Sequence, residues 1–330
     1  MEFKNIVGID LGKEILEFMV LESGEKKTTG QVSNSIKKIE KYIRSLSLDL
    51  SQTLFCMEHT GMYCLPLLKV LEKMKAYVWV EGAMQIKKSI GLTRGKSDKI
   101  DAERIARYAY VHQESAKLWE PERAVIRELK ALLSQRNRLI KSKNVLQTPI
   151  KESKKFMVKS DFEKLKQITN GPLNILKKSI EKITKQIEEL IKSDDRLREL
   201  HSYATSVPYI GIVIGATILA KTDEYRKIND PKKFACHSGI APFEHTSGKT
   251  IRGKTRVSHL ADKKLKTLMH LAAVGAISKA GEFKDYYERK IAQGKNKMAV
   301  INAIRNKLIL RLFACVNNKR KYKKNLLTLA

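Results

Sequence analysis

Ile6-Val7-Gly8-Ile9-Asp10-Leu11-Gly12 is where the architecture first shows. The β-branched Ile6, Val7 and Ile9 predict a strand over Asn5 to Asp10, and Gly12-Lys13 supplies a turn. Working outward, Ile15 to Leu21 reads as a second strand, Ser23-Gly24-Glu25-Lys26 as another turn, and Thr28 to Val32 as a third strand. Three strands joined by tight turns make an antiparallel meander. Asn34 or Ser35 then caps a helix carrying Ile36, Ile39 and Ile43 on one face. Thr53 to Met57 reads as a strand, Met62 to Met74 as a helix, Ala76 to Val80 as a strand, and Ser97 to Tyr110 as a helix with Ala102, Ile105, Ala106 and Ala109 inward. The order βββαβαβα is that of the ribonuclease-H-like fold, so residues 1–113 are expected to form an α/β domain.

Residues 114–200 change character. Val125, Leu129, Leu132, Leu139 and Leu146 keep a heptad register, with Arg136 and Lys143 in the intervening slots. After a break expected at Asn170-Gly171-Pro172, the register returns at Leu176, Ile180, Ile183, Ile187 and Leu190. Two long helices are predicted to pair as a coiled coil or helical hairpin, and the pattern leaves pairing within one chain or between chains open. The basic slots either fix register or snorkel to the surface. Residues 201–330 read as mainly helical and glycine-punctuated. Ser206 to Ala216 reads as a hairpin opening a helix, and Phe243 to Val257 as a polar loop. The fold class is thus α/β plus all-α.

Charge narrows the partners. The 330 residues carry 65 Lys+Arg against 35 Asp+Glu, a net +30. Residues 201–330 hold 26 of the bases and 8 of the acids, and Arg289 to Ala330 has 12 Lys+Arg with no acid at all. Such a run repels itself until a polyanion neutralises it, which points to nucleic-acid phosphate without choosing DNA or RNA. No stretch reaches the ~20 apolar residues of a membrane span, no signal-peptide core precedes Asp10, and Met298 to Val316 is apolar on most faces, as a buried helix is. A cytoplasmic location is expected. Cys56, Cys64, Cys236 and Cys315 lie far apart, so they predict free thiols rather than a disulfide framework or zinc ribbon.

Against this basic background the carboxylates on apolar elements stand out. Asp10 ends the first strand and Glu58 the fourth, which the topology places side by side. Asp98 and Asp101 share a helix face, about one turn apart. Clustered carboxylates cannot all stay ionised without a cation, and Mg²⁺ or Mn²⁺ is the natural choice for oxygen ligands. The chemistry this serves is phosphoryl transfer on nucleic acid. A sugar-kinase-like fold also begins with such a strand, but it needs a second copy of the meander, and the sequence contains none.

Val7-Gly8-Ile9-Asp10-Leu11-Gly12-Lys13, Met57-Glu58-His59-Thr60-Gly61 and Thr93-Arg94-Gly95-Lys96-Ser97-Asp98-Lys99-Ile100-Asp101-Ala102 resemble the three blocks of the DEDD insertion-sequence transposases. Ser206-Val207-Pro208 with Gly211, Ser238-Gly239-Ile240-Ala241-Pro242 and Thr246-Ser247-Gly248 resemble that family's C-terminal domain. The resemblance implies a RuvC-like catalytic domain (1–113), coiled-coil dimerisation helices (114–200) and a transposase domain with a serine loop (201–330). It implies that Asp10, Glu58, Asp98 and Asp101 bind Mg²⁺ and that Ser247 attacks DNA to form a phosphoserine link. It implies, too, a bridge RNA that pairs with donor and target DNA, a homo-dimer or homo-tetramer, and a prokaryotic, nucleoid-associated setting. Lys249, Arg252, Lys254 and Arg256 flank the serine and are placed to hold phosphates.

Two positions depart from the family pattern, Tyr209 and Ala261, each where glycine is usual. His59, His237, His245 and His259 have no metal-ligand spacing. The alternative function is a structure-selective DNA nuclease, a junction resolvase, that activates water at the acidic cluster. A non-catalytic nucleic-acid scaffold is the third possibility.

Overall fold

The computed structural model describes residues 2–91, 97–247 and 251–323, and for residues 90, 244–247, 251, 252 and 254 the backbone alone. The chain divides into two compact units, Met1–Pro121 and Glu122–Ala330.

In the first unit the meander is β1 (Asn5–Leu11), β2 (Ile15–Glu22) and β3 (Glu25–Ser33). Helix α1 (Ile36–Ser45) follows, then β4 (Thr53–Glu58), α2 (Leu65–Lys73), β5 (Tyr77–Glu81), α3 (Ala83–Ile90) and α4 (Asp98–His112). The sheet order is β3-β2-β1-β4-β5, antiparallel through the meander and parallel from β1 to β4 to β5. This is the arrangement expected of a ribonuclease-H-like domain. Both sheet faces are covered. On one, Ile39, Ile43, Leu67 and Leu71 pack against Val7, Ile9, Phe18 and Phe55. On the other, Ala102, Ile105, Ala106 and Ala109 of α4 meet Ile6, Met19, Leu54 and Trp79. Helix α3 was not expected from the sequence, because its eight residues bury little beyond Ile86.

The second unit begins with α5 (Ala124–Ser153) and α6 (Lys159–Ser193), which pack on each other within the chain. The expected break at Asn170-Gly171-Pro172 does not occur. Helix α6 runs through Pro172, and the carbonyl this proline leaves unpaired, on Ile168, belongs to an exposed residue where water can satisfy it. Then come α7 (Asp195–Ser206), α8 (Ile212–Thr222) and α9 (Pro231–His237). Phe243 to Val257 is no loop. It forms a hairpin of β6 (Phe243–Ser247) and β7 (Ile251–Arg256), since antiparallel backbone pairing organises polar residues that carry no hydrophobic alternation. Helices α10 (Lys263–Ser278), α11 (Glu282–Ala292) and α12 (Lys297–Asn317) complete the unit. As expected for an apolar helix, α12 is the centre of the core, burying Val300, Ile304, Leu308, Leu312 and Phe313.

Tyr209, one of the two departures from the family pattern, has φ 71, a left-handed conformation that glycine adopts without strain. Its ring meets Phe283 edge-on at 6.3 Å, a packing contact that glycine could not make. All four cysteines are free, with Cys56, Cys64 and Cys315 buried. No helix among the described residues is long and apolar enough to cross a membrane.

Candidate catalytic site

The approach of α4 to β1 sets the geometry of the carboxylates. A Cβ built on Gly8 would lie 2.3 Å from Ala106 N and 2.4 Å from Ala102 O, so only glycine lets the helix backbone rest directly on the strand. Asp10 lies two residues further along β1 and therefore on the same sheet face as Gly8. Asp98 and Asp101 lie in the first turn of α4, about one helical pitch before the contact. Ser97 caps that helix, its Oγ accepting from Ile100 N at 3.3 Å, and the helix dipole favours the two acids there. Glu58 closes β4, which pairs in parallel with β1.

Asp10 lies within electrostatic reach of the other three carboxylates. The Asp10 carboxyl is pushed up to about 6 by burial first, then by the charges of Asp98 and Asp101, with Glu58 adding to them against the backbone hydrogen bond from Leu11. Burial and the charge of Asp101 also push Glu58 above the usual glutamate range. The predicted acids are thus brought into mutual electrostatic range. Among the described residues, however, no three His, Cys, Asp or Glu side chains close to the spacing of an ion's ligand shell.

Two residues at this site escaped sequence reading. Arg104 donates to Asp101 at 2.8 Å, one turn along α4, and so holds that carboxylate in place. Glu81 ends β5 in register with Glu58, accepting from Gly82 N at 2.6 Å and from the Tyr108 hydroxyl at 3.4 Å. Its signal was present in Tyr77-Val78-Trp79-Val80-Glu81, an apolar strand closed by an acid as Phe55-Cys56-Met57-Glu58 is.

Ser247 belongs to the second unit. It is the last residue of β6, paired with Ile251, while Thr246 pairs with Arg252. Arg252, Lys254 and Arg256 occupy alternate positions of β7, and Arg256, opposite Phe243 at the foot of the hairpin, is exposed. Lys249 and residues 93–96 of the third sequence block lie outside the described residues. His237 is exposed, and its carbonyl accepts from Asp262 N at 2.8 Å.

Comparison with known proteins gives the following. Residues 7–152 match the DEDD-type IS110 family model, described as a transposase, and residues 201–288 match the model of the transposase IS116/IS110/IS902 family. The pilin gene-inverting protein of Moraxella bovis is 25% identical over 329 residues, covering 98% of this chain and 99% of its own. The IS116 insertion-element protein of Streptomyces clavuligerus is 25% identical over 138 residues, 42% of this chain and 33% of its own. The Thermus thermophilus RuvC structure aligns with 35% of this chain and 99% of its own at 15% identity and a TM-score of 0.29. With two models of one family matched in order over more than half of its length, the chain belongs to the IS116/IS110/IS902 family of transposases.

Proposed function

We propose that this transposase cuts and rejoins DNA through Ser247, working with the carboxylates Asp10, Glu58, Asp98 and Asp101, under the direction of a bridge RNA. The observation that carries the reading is the raised Asp10 carboxyl beside three other acids. An oxygen-only set that repels itself fits a hard divalent cation, and Mg²⁺ or Mn²⁺ held by these four residues would polarise the scissile phosphate. A ligand shell not yet closed is consistent with acids that a cation draws together.

In the proposed reaction the Ser247 Oγ–phosphorus bond forms as the phosphorus–O3′ bond breaks. The serine proton passes to solvent and the departing O3′ takes one up, leaving a phosphoserine and a free 3′-hydroxyl. Attack by an exchanged 3′-hydroxyl on the phosphoserine reverses the step and seals the strand. A serine hydroxyl is a weak nucleophile at neutral pH, so it does nothing until it meets the acidic set. That requirement protects DNA before the complex assembles.

Residues 1–113 would supply the acids, 114–200 the pairing of protomers into a dimer or tetramer, and 201–330 the nucleophile and most of the phosphate contacts through Lys249, Arg252, Lys254 and Arg256. Sequence choice would rest on base pairing by the RNA, with the protein holding backbone, at the nucleoid of a prokaryotic cell. A relative named for inverting a gene supports strand exchange over simple cutting.

The test incubates the protein with element-end DNA, its flanking RNA and Mg²⁺, then denatures it. A protein–DNA adduct is expected from wild type and none from Ser247→Ala, while Asp10→Ala keeps DNA affinity and loses the adduct. Cutting without an adduct, undiminished in Ser247→Ala, would instead assign a resolvase-like nuclease that activates water. Undiminished cutting by Asp10→Ala would remove the acids from the chemistry.

A further inference from the structure

Arg305 on α12 is 5% exposed, and among the described residues no carboxylate pairs with it. Its Nη2 donates to His270 Nδ1 at 2.5 Å and its Nη1 to Asn302 Oδ1 at 3.4 Å, and among the described residues its Nε finds no partner. A guanidinium buried among neutral acceptors is a poor way to stabilise a core. What it does is orient. With Asn302 Oδ1 turned toward the cation, the amide nitrogen faces the other way, where Nδ2 donates to Ile240 O at 2.8 Å across 62 residues of chain.

Ile240 stands at the foot of the β6–β7 hairpin. The chain leaves α9 through Gly239, at φ 65, and enters β6 three residues after Ile240. The chain entering and the chain leaving the hairpin are also tied together. Asp262 N, at the start of α10, donates to His237 O, and a Cβ built on Gly239 would lie 2.7 Å from the Ala261 methyl, so the turn before β6 and the connection from β7 to α10 touch. Asp262 in turn pairs with Lys221 of α8 at 2.7 Å. The Asn302 hydrogen bond joins this base to α12, the helix that buries the most side chains in the unit.

We propose that Asn302, oriented by Arg305, is a positioning residue for the strand transfer reaction, fixing the foot of β6 and thereby where Ser247 is delivered. This rests on the serine reading above. From Phe243 to Ser247 the strand spans about 14 Å at ~3.4 Å per residue, so a tilt of about 5° at its foot moves its end by ~1 Å. A misplacement of that size lowers a reaction rate by about a hundredfold.

The test uses full-length Arg305→Met and Asn302→Asp. Arg305→Met removes a charge that does not stabilise the core, so its Tm is expected at or above wild type, where a merely structural arginine would lower it. In both variants the single-turnover rate of adduct formation at saturating DNA is expected to fall by about ten- to a hundredfold with DNA affinity unchanged. Hydrogen exchange of the amides of residues 240–247 is expected to quicken while α12 stays protected. Wild-type exchange there, an unchanged rate, or a loss of DNA affinity in place of rate overturns the proposal. Failure of the serine reading shows elsewhere, as undiminished cutting by Ser247→Ala, and leaves the exchange result standing.

Discussion

At the scale of single residues, Asp10 shows how a site and stability pull in opposite directions. Its carboxyl is raised from 3.8 to about 6, so the ionised form is less favourable in the fold than in the unfolded chain. The sign follows: the penalty is absent below about pH 4, grows through the window from 3.8 to about 6, and is complete above it. In chelator, wild type is therefore expected to be less stable at pH 8 than at pH 5 by about 1 kcal/mol from this group, discounted because Asp10 is only half-buried. Asp10→Asn should remove most of that difference in urea denaturation and abolish cleavage; an undiminished pH difference in the variant would assign the effect to other groups. The placement of the four acids was legible because Asp10 and Glu58 near the ends of apolar strands, and Asp98 and Asp101 on one helix face, are conspicuous in so basic a chain. The help Arg104 gives Asp101 was not, since an arginine at helical spacing looks like any solvated charge.

Among elements, the contact of α4 with β1 governs the site. Gly8→Ala drives a methyl into Ala102 O and Ala106 N, which are backbone atoms with nowhere to go. The helix must lift, at a cost of about 1–3 kcal/mol, and Asp98 and Asp101 move with it. The expected outcome is a lowered Tm, DNA affinity kept, and cleavage reduced by more than the stability loss explains; wild-type cleavage in a folded Gly8→Ala protein would separate the helix contact from the site. Strands and helices with strong periodicity were legible, as in β1, β2 and α12. The β6–β7 hairpin was hidden because Glu244-His245-Thr246-Ser247 and Arg252-Gly253-Lys254-Thr255 are polar or glycine throughout, so the sequence writes no hydrophobic alternation there. Helix α6 was misread at Pro172 because an exposed helix tolerates a proline when water takes up the carbonyl it orphans.

At the scale of the whole molecule, the second unit is knotted around its own first residues. Glu224, whose side chain is fully buried, receives Arg123 and lies 3.6 Å from Arg196, while Arg123 also reaches Asp194, the N-cap of α7. Lys227 joins Glu122 at 3.2 Å. Asp223, Glu224 and Tyr225 reach these positions through three successive left-handed residues, at φ 51, 57 and 62, each about 1 kcal/mol or more unfavourable. Glu224→Gln strips the charge from this knot and is expected to destabilise the second unit by about 3 kcal/mol. Each unit has its own core, so denaturation followed by hydrogen exchange should show amides of α8 and α12 losing protection while those of β1 and β4 keep it; equal loss in both units would mean that the network serves the whole chain. The sequence alone determined the strand order of the first unit, the acids that close its strands, and the basic balance of the second, because periodicity and composition are local and print themselves on neighbouring residues. The tertiary structure alone decided that Gly8 seats α4, that Asn302 holds Ile240, and that Arg123 meets Glu224. Those pairs lie tens to about a hundred residues apart, and only the closing of the core brings them within hydrogen-bonding or van der Waals distance.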